Sequence, residues 1–168
     1  TRQMTTARFE GAVMPKSCVA WFINCENLTE IKNIENLDTS ECTDMNGMFF
    51  TCETLNLTDL STFNTKNVKD TSWMFAFCSG LTNLDISMFN TKHVTDMTAM
   101  FYGAKNITEY KGLENFNTSN VTSMEYMFFC CGGQTMTNLT LPTKFNTSNV
   151  TTMRYMFQSC YKLTSLDV

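Results

Sequence analysis

Apolar residues recur along the chain in two alternating patterns. From Val94 they fall at Val94, Met97, Met100, Phe101 and Ala104. Offsets of 0, 3, 6, 7 and 10 trace a single stripe on a helix. Asn, Thr, Ser and Lys residues just upstream suit a helix start, where side-chain oxygens satisfy orphan amides. Asp44, Asp70 and Asp96 lie near the same start, where negative charge favours the helix dipole. Gly80, Gly103 and Gly132 lie near the far end, where a helix can stop. Beyond it, Leu81, Leu84 and Ile86 lead into the alternation Leu84-Asp85-Ile86-Ser87, the pattern of a short strand with one face inward. The chain is therefore expected to alternate short helices with short strands.

The alternation repeats. Met-Phe pairs stand at Met48-Phe49, Met74-Phe75, Met100-Phe101, Met127-Phe128 and Met156-Phe157, spaced by 26, 26, 27 and 29 residues. Trp21-Phe22 is the same position in an earlier copy. Three residues after each Phe comes Cys25, Cys52, Cys78, Ala104, Cys131 or Cys160. Upstream runs a second register: Leu37-Asp38-Thr39, Phe63-Asn64-Thr65, Phe89-Asn90-Thr91, Phe116-Asn117-Thr118 and Phe145-Asn146-Thr147. One strand and one short helix cannot bury their apolar sides alone, whereas stacked copies can. The expected fold is an α/β, leucine-rich-repeat-like solenoid of about six repeats, each with one short parallel strand and one short helix. Residues 1–17 fit the repeat poorly and are expected to cap it, with 18–168 forming a single repeat domain. The missing cap at the far end makes the chain an expected fragment of a longer protein.

The copies differ. Leu28-Thr29-Glu30-Ile31-Lys32 and Ile107-Thr108-Glu109-Tyr110-Lys111 resemble each other, with Glu35-Asn36 and Glu114-Asn115 following in step. Thr58 replaces the Leu84 of the next copy, a weak point in the expected ladder. The longest copy inserts Gly132-Gly133 and Pro142-Thr143-Lys144, expected as bulges at corners.

The segments 116–124 (Phe-Asn-Thr-Ser-Asn-Val-Thr-Ser-Met) and 145–153 (Phe-Asn-Thr-Ser-Asn-Val-Thr-Thr-Met), with Met156-Phe157-Gln158-Ser159-Cys160 and Leu163-Thr164-Ser165-Leu166-Asp167, resemble the BspA-type bacterial surface-protein repeat. The resemblance covers roughly residues 18–168. It implies a cell-surface or secreted bacterial protein, although no signal peptide opens this chain. It also implies a non-enzymatic module that binds a protein partner, such as a host matrix protein, or a glycan. The family shares no catalytic motif, so no site residue carries over. A passive spacer or an intracellular interaction scaffold is the alternative role.

Composition adds limits. Of 14 Phe, 13 Met and 8 Cys, most fall in repeat registers, so their excess reflects packing. The shared cysteine slot also accepts Ala104, which marks the cysteines as small buried thiols. Cys130 alone falls off register and is the one open to reaction or pairing. Cys130-Cys131 is not a spaced ligand pair and His93 is the only histidine, so no zinc or other metal site is expected. His93 takes the place of Asn67, Asn120 and Asn149 in a turn and is expected to be exposed. No catalytic residues and no cofactor are expected. Net charge is −4, from 12 basic and 16 acidic residues without a basic block, which argues against nucleic acid as a partner. No apolar run is long enough for membrane insertion in this segment.

The expected partner-binding face is the outward side of the strand segments. Its residues are Glu30 and Lys32, then Asp59 and Ser61, then Asn83, Asp85 and Ser87. Glu109 and Lys111, Asn138 and Thr140, and Ser165 and Asp167 continue it.

Overall fold

The computed structural model describes residues 3–57, 60–132, 136–142 and 145–167. Where the apolar pattern predicts a helix, the backbone instead makes a run of β-turns. In the second repeat Met48 N–H bonds to the Met45 carbonyl at 3.2 Å, Phe50 N–H to Gly47 at 3.0 Å and Cys52 N–H to Phe49 at 3.0 Å. Each closes a four-residue turn. The amides between them point out of the repeat. Met45, Gly47, Phe49 and Thr51 donate to the carbonyls of Asp70, Ser72, Met74 and Ala76 in the next repeat, at 2.9 to 3.0 Å. An α-helix would use all of these amides internally.

Left-handed residues make the turn run possible. Gly47 and Thr51 have φ of 58° and 61° and stand third in their turns, as type II turns require. The same two positions are left-handed in every repeat: Ala20 and Asn24, Trp73 and Phe77, Ala99 and Gly103, Tyr126 and Cys130, Tyr155 and Ser159. The expected helix per repeat is thus wrong, and no α-helix occurs among the described residues. The cause of the error is geometric. Each of the two outer turns faces its first and fourth residues inward. Met45, Met48, Phe49 and Cys52 are accordingly all fully buried, at the spacing of a helical stripe.

The expected continuous sheet also fails. Among the described residues, strands β1 (Thr6–Arg8), β2 (Glu30–Lys32), β3 (Asn83–Asp85), β4 (Glu109–Lys111), β5 (Asn138–Thr140) and β6 (Ser165–Asp167) form three two-stranded parallel sheets, β1-β2, β3-β4 and β5-β6, and β4 and β5 do not pair. The expectation at Thr58 and those at Gly133, Thr143 and Lys144 lie outside the described residues. Parallel stacking is continuous elsewhere. Asp44, Asp70, Asp96, Ser123 and Thr152 pair each with the next. Residues of the expected cap join the stack: β1 pairs with β2, and Val13 with Leu37.

The Phe-Asn-Thr signature is a corner device. Thr65 is buried; its hydroxyl accepts from Asn90 N–H at 2.7 Å and donates to the Asn90 carbonyl at 3.2 Å. Thr39, Thr91 and Thr118 do the same to Asn64, Asn117 and Asn146. The Asn side chain closes its own turn, as Asn90 Oδ1 accepts Lys92 N–H at 3.1 Å.

Between turn run, strand and corner lies the core. Phe22, Phe49, Phe75, Phe101, Phe128 and Phe157 stack ring on ring, with centroids 5.5 to 6.0 Å apart. The cysteine slot beside them also has a polar duty. Cys52, Cys78, Cys131 and Cys160 donate S–H to the Phe22, Phe49, Phe101 and Phe128 carbonyls of the preceding repeat, at 2.7 to 3.1 Å. Burial pushes the Cys52 thiol up to about 12.

Among the described residues one core group is unsatisfied. The Tyr110 hydroxyl is buried without a hydrogen-bond partner. It lies against the Cys131 sulfur, only a weak acceptor, whose own proton goes to the Phe101 carbonyl. Burial raises its pKa. The neighbouring strands carry Leu84 and Leu139 here. Tyr110→Phe keeps the ring between Phe101 and Phe128 and removes an unpaired polar group, a gain of ~1 kcal/mol. Urea unfolding should show a higher midpoint; a lower one would mean that the hydroxyl has a partner.

Candidate binding surface

The strand-face residues expected from sequence are spread over the three sheets. Pairing puts Asn83 beside Glu109 and Asp85 beside Lys111, and Asn138 beside Ser165 and Thr140 beside Asp167. Glu30 and Lys32 flank the buried Ile31. Ser61 lies in an exposed turn outside any strand, and Asp59 lies outside the described residues.

Much of this face pairs with itself. Lys111 Nζ meets Asp85 Oδ2 at 2.6 Å, Lys32 meets Glu30 at 3.4 Å, and Ser165 donates to Asn138 at 2.6 Å. Ser87 donates its hydroxyl to Asp85 at 2.6 Å. The Lys111 ammonium, with the Ser87 donors, holds the Asp85 carboxyl down at about 2. Where strand pairing breaks, shallow clefts open. One of about 240 Å³ lies between β4 and β5, lined by Glu109, Tyr110, Met136, Asn138 and Thr140 among others.

A second surface was not anticipated. The turn run faces its second and third residues outward, and these are strongly aromatic. Phe50 packs against Trp73 and Phe77 at 5.8 Å each. Tyr102 meets Trp73 at 5.7 Å, Phe77 at 4.9 Å and Phe129 at 4.7 Å. Tyr126 joins Phe129 and Tyr155, and the Arg154 guanidinium lies over the Tyr155 ring at 5.1 Å. Phe50, Trp73, Phe77, Tyr102, Tyr126 and Phe129 are half-buried and Tyr155 is exposed, so one aromatic stripe crosses five repeats. Large and small residues alternate within it. Gly103 sits under Phe77, where a Cβ would come within 2.9 Å of the ring.

Beside the stripe runs the aspartate column. With no helix present, a dipole does not explain it. Asp44, Asp70 and Asp96 instead accept the N–H two residues on, from Asn46, Ser72 and Thr98, at 2.8 to 2.9 Å. Burial raises the Asp70 pKa; the Ser72 bonds oppose this, and the charges of Asp96 and Asp44 reinforce it. A carboxyl whose pKa is raised by folding weakens the fold above the ordinary carboxylate range and ceases to do so once protonated in both states. Asp70→Asn should therefore be more stable at neutral pH, by ~0.5 kcal/mol after solvent screening. The gain should fade as pH drops below the carboxylate range. Urea midpoints at the two pH values check this, and a variant weaker at neutral pH would refute it.

The cysteines are free, six of them buried, with Cys130 and Cys160 half-buried. Cys130 is not off register. It fills the left-handed position shared with Thr51, Phe77, Gly103 and Ser159. His93 is exposed. Among the described residues no three His, Cys, Asp or Glu side chains gather as metal ligands, and no helix is long and apolar enough to cross a membrane.

These features define a repeat protein built of stacked turn runs, with its regular side chains spent on packing. Residues 16–132 and 79–167 match the model of a family described as Mycoplasma protein of unknown function, DUF285, and the chain belongs to that family. No curated protein and no solved structure shows a significant match to the chain.

Proposed function

We propose that the chain is a non-enzymatic, protein-binding repeat module of a bacterial cell-surface protein of the BspA type, acting in adhesion to host or matrix proteins. The observation that carries this reading is the aromatic stripe. Protein interfaces are enriched in Trp, Tyr, Phe and Arg and depleted in Lys and Asp. The stripe has that composition over five repeats, from Phe50 to Tyr155. The strand face is the weaker candidate, because Glu30, Lys32, Asp85 and Lys111 already pair with one another.

The test is a solid-phase screen of the chain against matrix proteins, including fibronectin and fibrinogen, and against glycans. The double variant Trp73→Ala, Tyr126→Ala should weaken the strongest binding about tenfold or more. Lys111→Ala on the strand face should change it little. No binding across the panel would favour a passive spacer, and equal binding by the stripe variant would move the site elsewhere.

A further inference from the structure

Beside the aromatic stripe runs charge of one sign. Asp44 pairs with Asp70 and Asp70 with Asp96 across successive repeats, so their backbones stand about 4.8 Å apart. All three are half-buried, and none is in an ion pair among the described residues. Like charges in register repel. Burial raises the Asp70 pKa against the Ser72 bonds, and the charges of Asp96 and Asp44 add to the rise. The column passes the rings closely in sequence: Asp70 stands three residues before Trp73, and Asp96 six before Tyr102.

The far end of the same stripe shows what such a face accepts. The Arg154 guanidinium lies over the Tyr155 ring at 5.1 Å and reaches Glu125 of the preceding repeat at 3.9 Å. A ring lies beneath the cation and a carboxylate beside it. Glu125 and Arg154 occupy the register of Asn46, Ser72 and Thr98. In the last two repeats the chain thus supplies its own cation. In the three before them that register is neutral, while Phe50, Trp73, Phe77 and Tyr102 lie beside the three aspartates.

We propose that the half of the stripe beside Asp44, Asp70 and Asp96 receives arginine side chains from an extended segment of a partner protein, each guanidinium resting on a ring and meeting a carboxylate. This inference rests on the stripe being the binding face. Arginine fits it better than lysine does. Its planar, weakly hydrated guanidinium stacks on aromatic rings and forks onto carboxylates, whereas an ammonium is compact and strongly hydrated. In an extended segment alternate side chains share one face, so arginines at every second position reach the column together. Their charge also offsets the repulsion between the aspartates.

The experiment titrates a labelled dodecapeptide of alternating arginine and serine with the full chain, followed by fluorescence anisotropy at low ionic strength. The arginine peptide should bind. Its lysine counterpart should bind about fivefold more weakly, and its citrulline counterpart, uncharged but of the same shape, about tenfold or more. The double variant Asp70→Asn, Asp96→Asn should weaken arginine-peptide binding about tenfold. Asparagine keeps an oxygen to accept the Ser72 and Thr98 amides. The double variant Glu10→Gln, Glu35→Gln removes the same charge at exposed positions that follow β1 and β2, and should change binding about twofold or less. The inference fails if the arginine peptide does not bind, or binds no better than the lysine or citrulline peptide. It fails equally if the two double variants lose alike, which would reduce the effect to net charge. A matrix protein that needs Trp73 and Tyr126, with arginine and citrulline peptides binding alike, would keep the adhesion reading and overturn this one. A negative matrix screen beside selective arginine-peptide binding would do the reverse.

Discussion

Phe101→Ala is expected to lower stability by about 3–5 kcal/mol, the cost of truncating a fully buried aromatic that leaves a cavity. Phe101 is fully buried and sits at the middle of the ring column. It stacks on Phe75 at 6.0 Å and Phe128 at 5.5 Å, and touches Tyr110 at 4.7 Å. In a stack whose repeats contact only their neighbours, much of the stability lies in the interfaces. Losing this ring weakens two interfaces at once and uncouples the repeats on either side. Phe157, half-buried and stacked on Phe128, provides the control. Phe157→Ala should cost less than half as much. Urea unfolding followed by circular dichroism compares the two. Fluorescence from Trp21 and Trp73, the two tryptophans, reports the repeats before the break and should unfold separately from the remainder in Phe101→Ala. Equal losses for the two variants would contradict coupling through the ring column.

The repeat itself was legible in the sequence because packing demands the same residue at the same place. The Met-Phe pairs from Met48-Phe49 to Met127-Phe128 are all buried to 1% exposure or less. The conformation between them was not legible. A helix and a run of type II turns both bury positions three and four apart, so periodicity cannot separate them. The separating signal was small. Gly47 and Gly103 occupy the two left-handed registers, but Trp73, Phe77 and Tyr126 fill the same registers elsewhere. Bulky residues at positive φ are uncommon. They persist here because each turn run is fixed by hydrogen bonds to its neighbours.

The candidate surface was hidden for a related reason. Phe50 shares a register with Tyr102 and Phe129, Trp73 with Tyr126 and Tyr155, and Phe77 with Gly103. No single register reads as aromatic along the chain. Only the stacking brings the three into one stripe, with small residues of one repeat making room for rings of the next. The strand face was easier to find, since outward positions follow from alternation. Its Lys111–Asp85 bridge depends on a cross-strand register that alternation alone does not supply.

Gly112→Ala should be the most damaging substitution outside the ring column, with a loss of ~3 kcal/mol or more. Gly112 has φ of 94° and opens the short 3₁₀ helix Leu113–Asn115. A Cβ there would lie 2.2 Å from both Cα and N of Ser87 and 2.7 Å from the Ile86 carbonyl carbon. All three are backbone atoms of the preceding repeat, and β3 and β4 are paired just beside them. The turn therefore rests directly on its neighbour, and a methyl group forces the two repeats apart. Asn33 provides the comparison. It opens the matching 3₁₀ helix Ile34–Asn36 with φ of 55°, and its side chain bonds to the Phe9 carbonyl at 3.2 Å. Asn33→Ala should lose only the left-handed preference and that bond, ~1–2 kcal/mol. Gly112→Asn tolerates the dihedral but keeps the clash, so it should remain close to Gly112→Ala. Thermal unfolding of the three variants distinguishes the causes. If Gly112→Asn recovered most of the loss, the dihedral and not the contact with Ser87 would set the requirement.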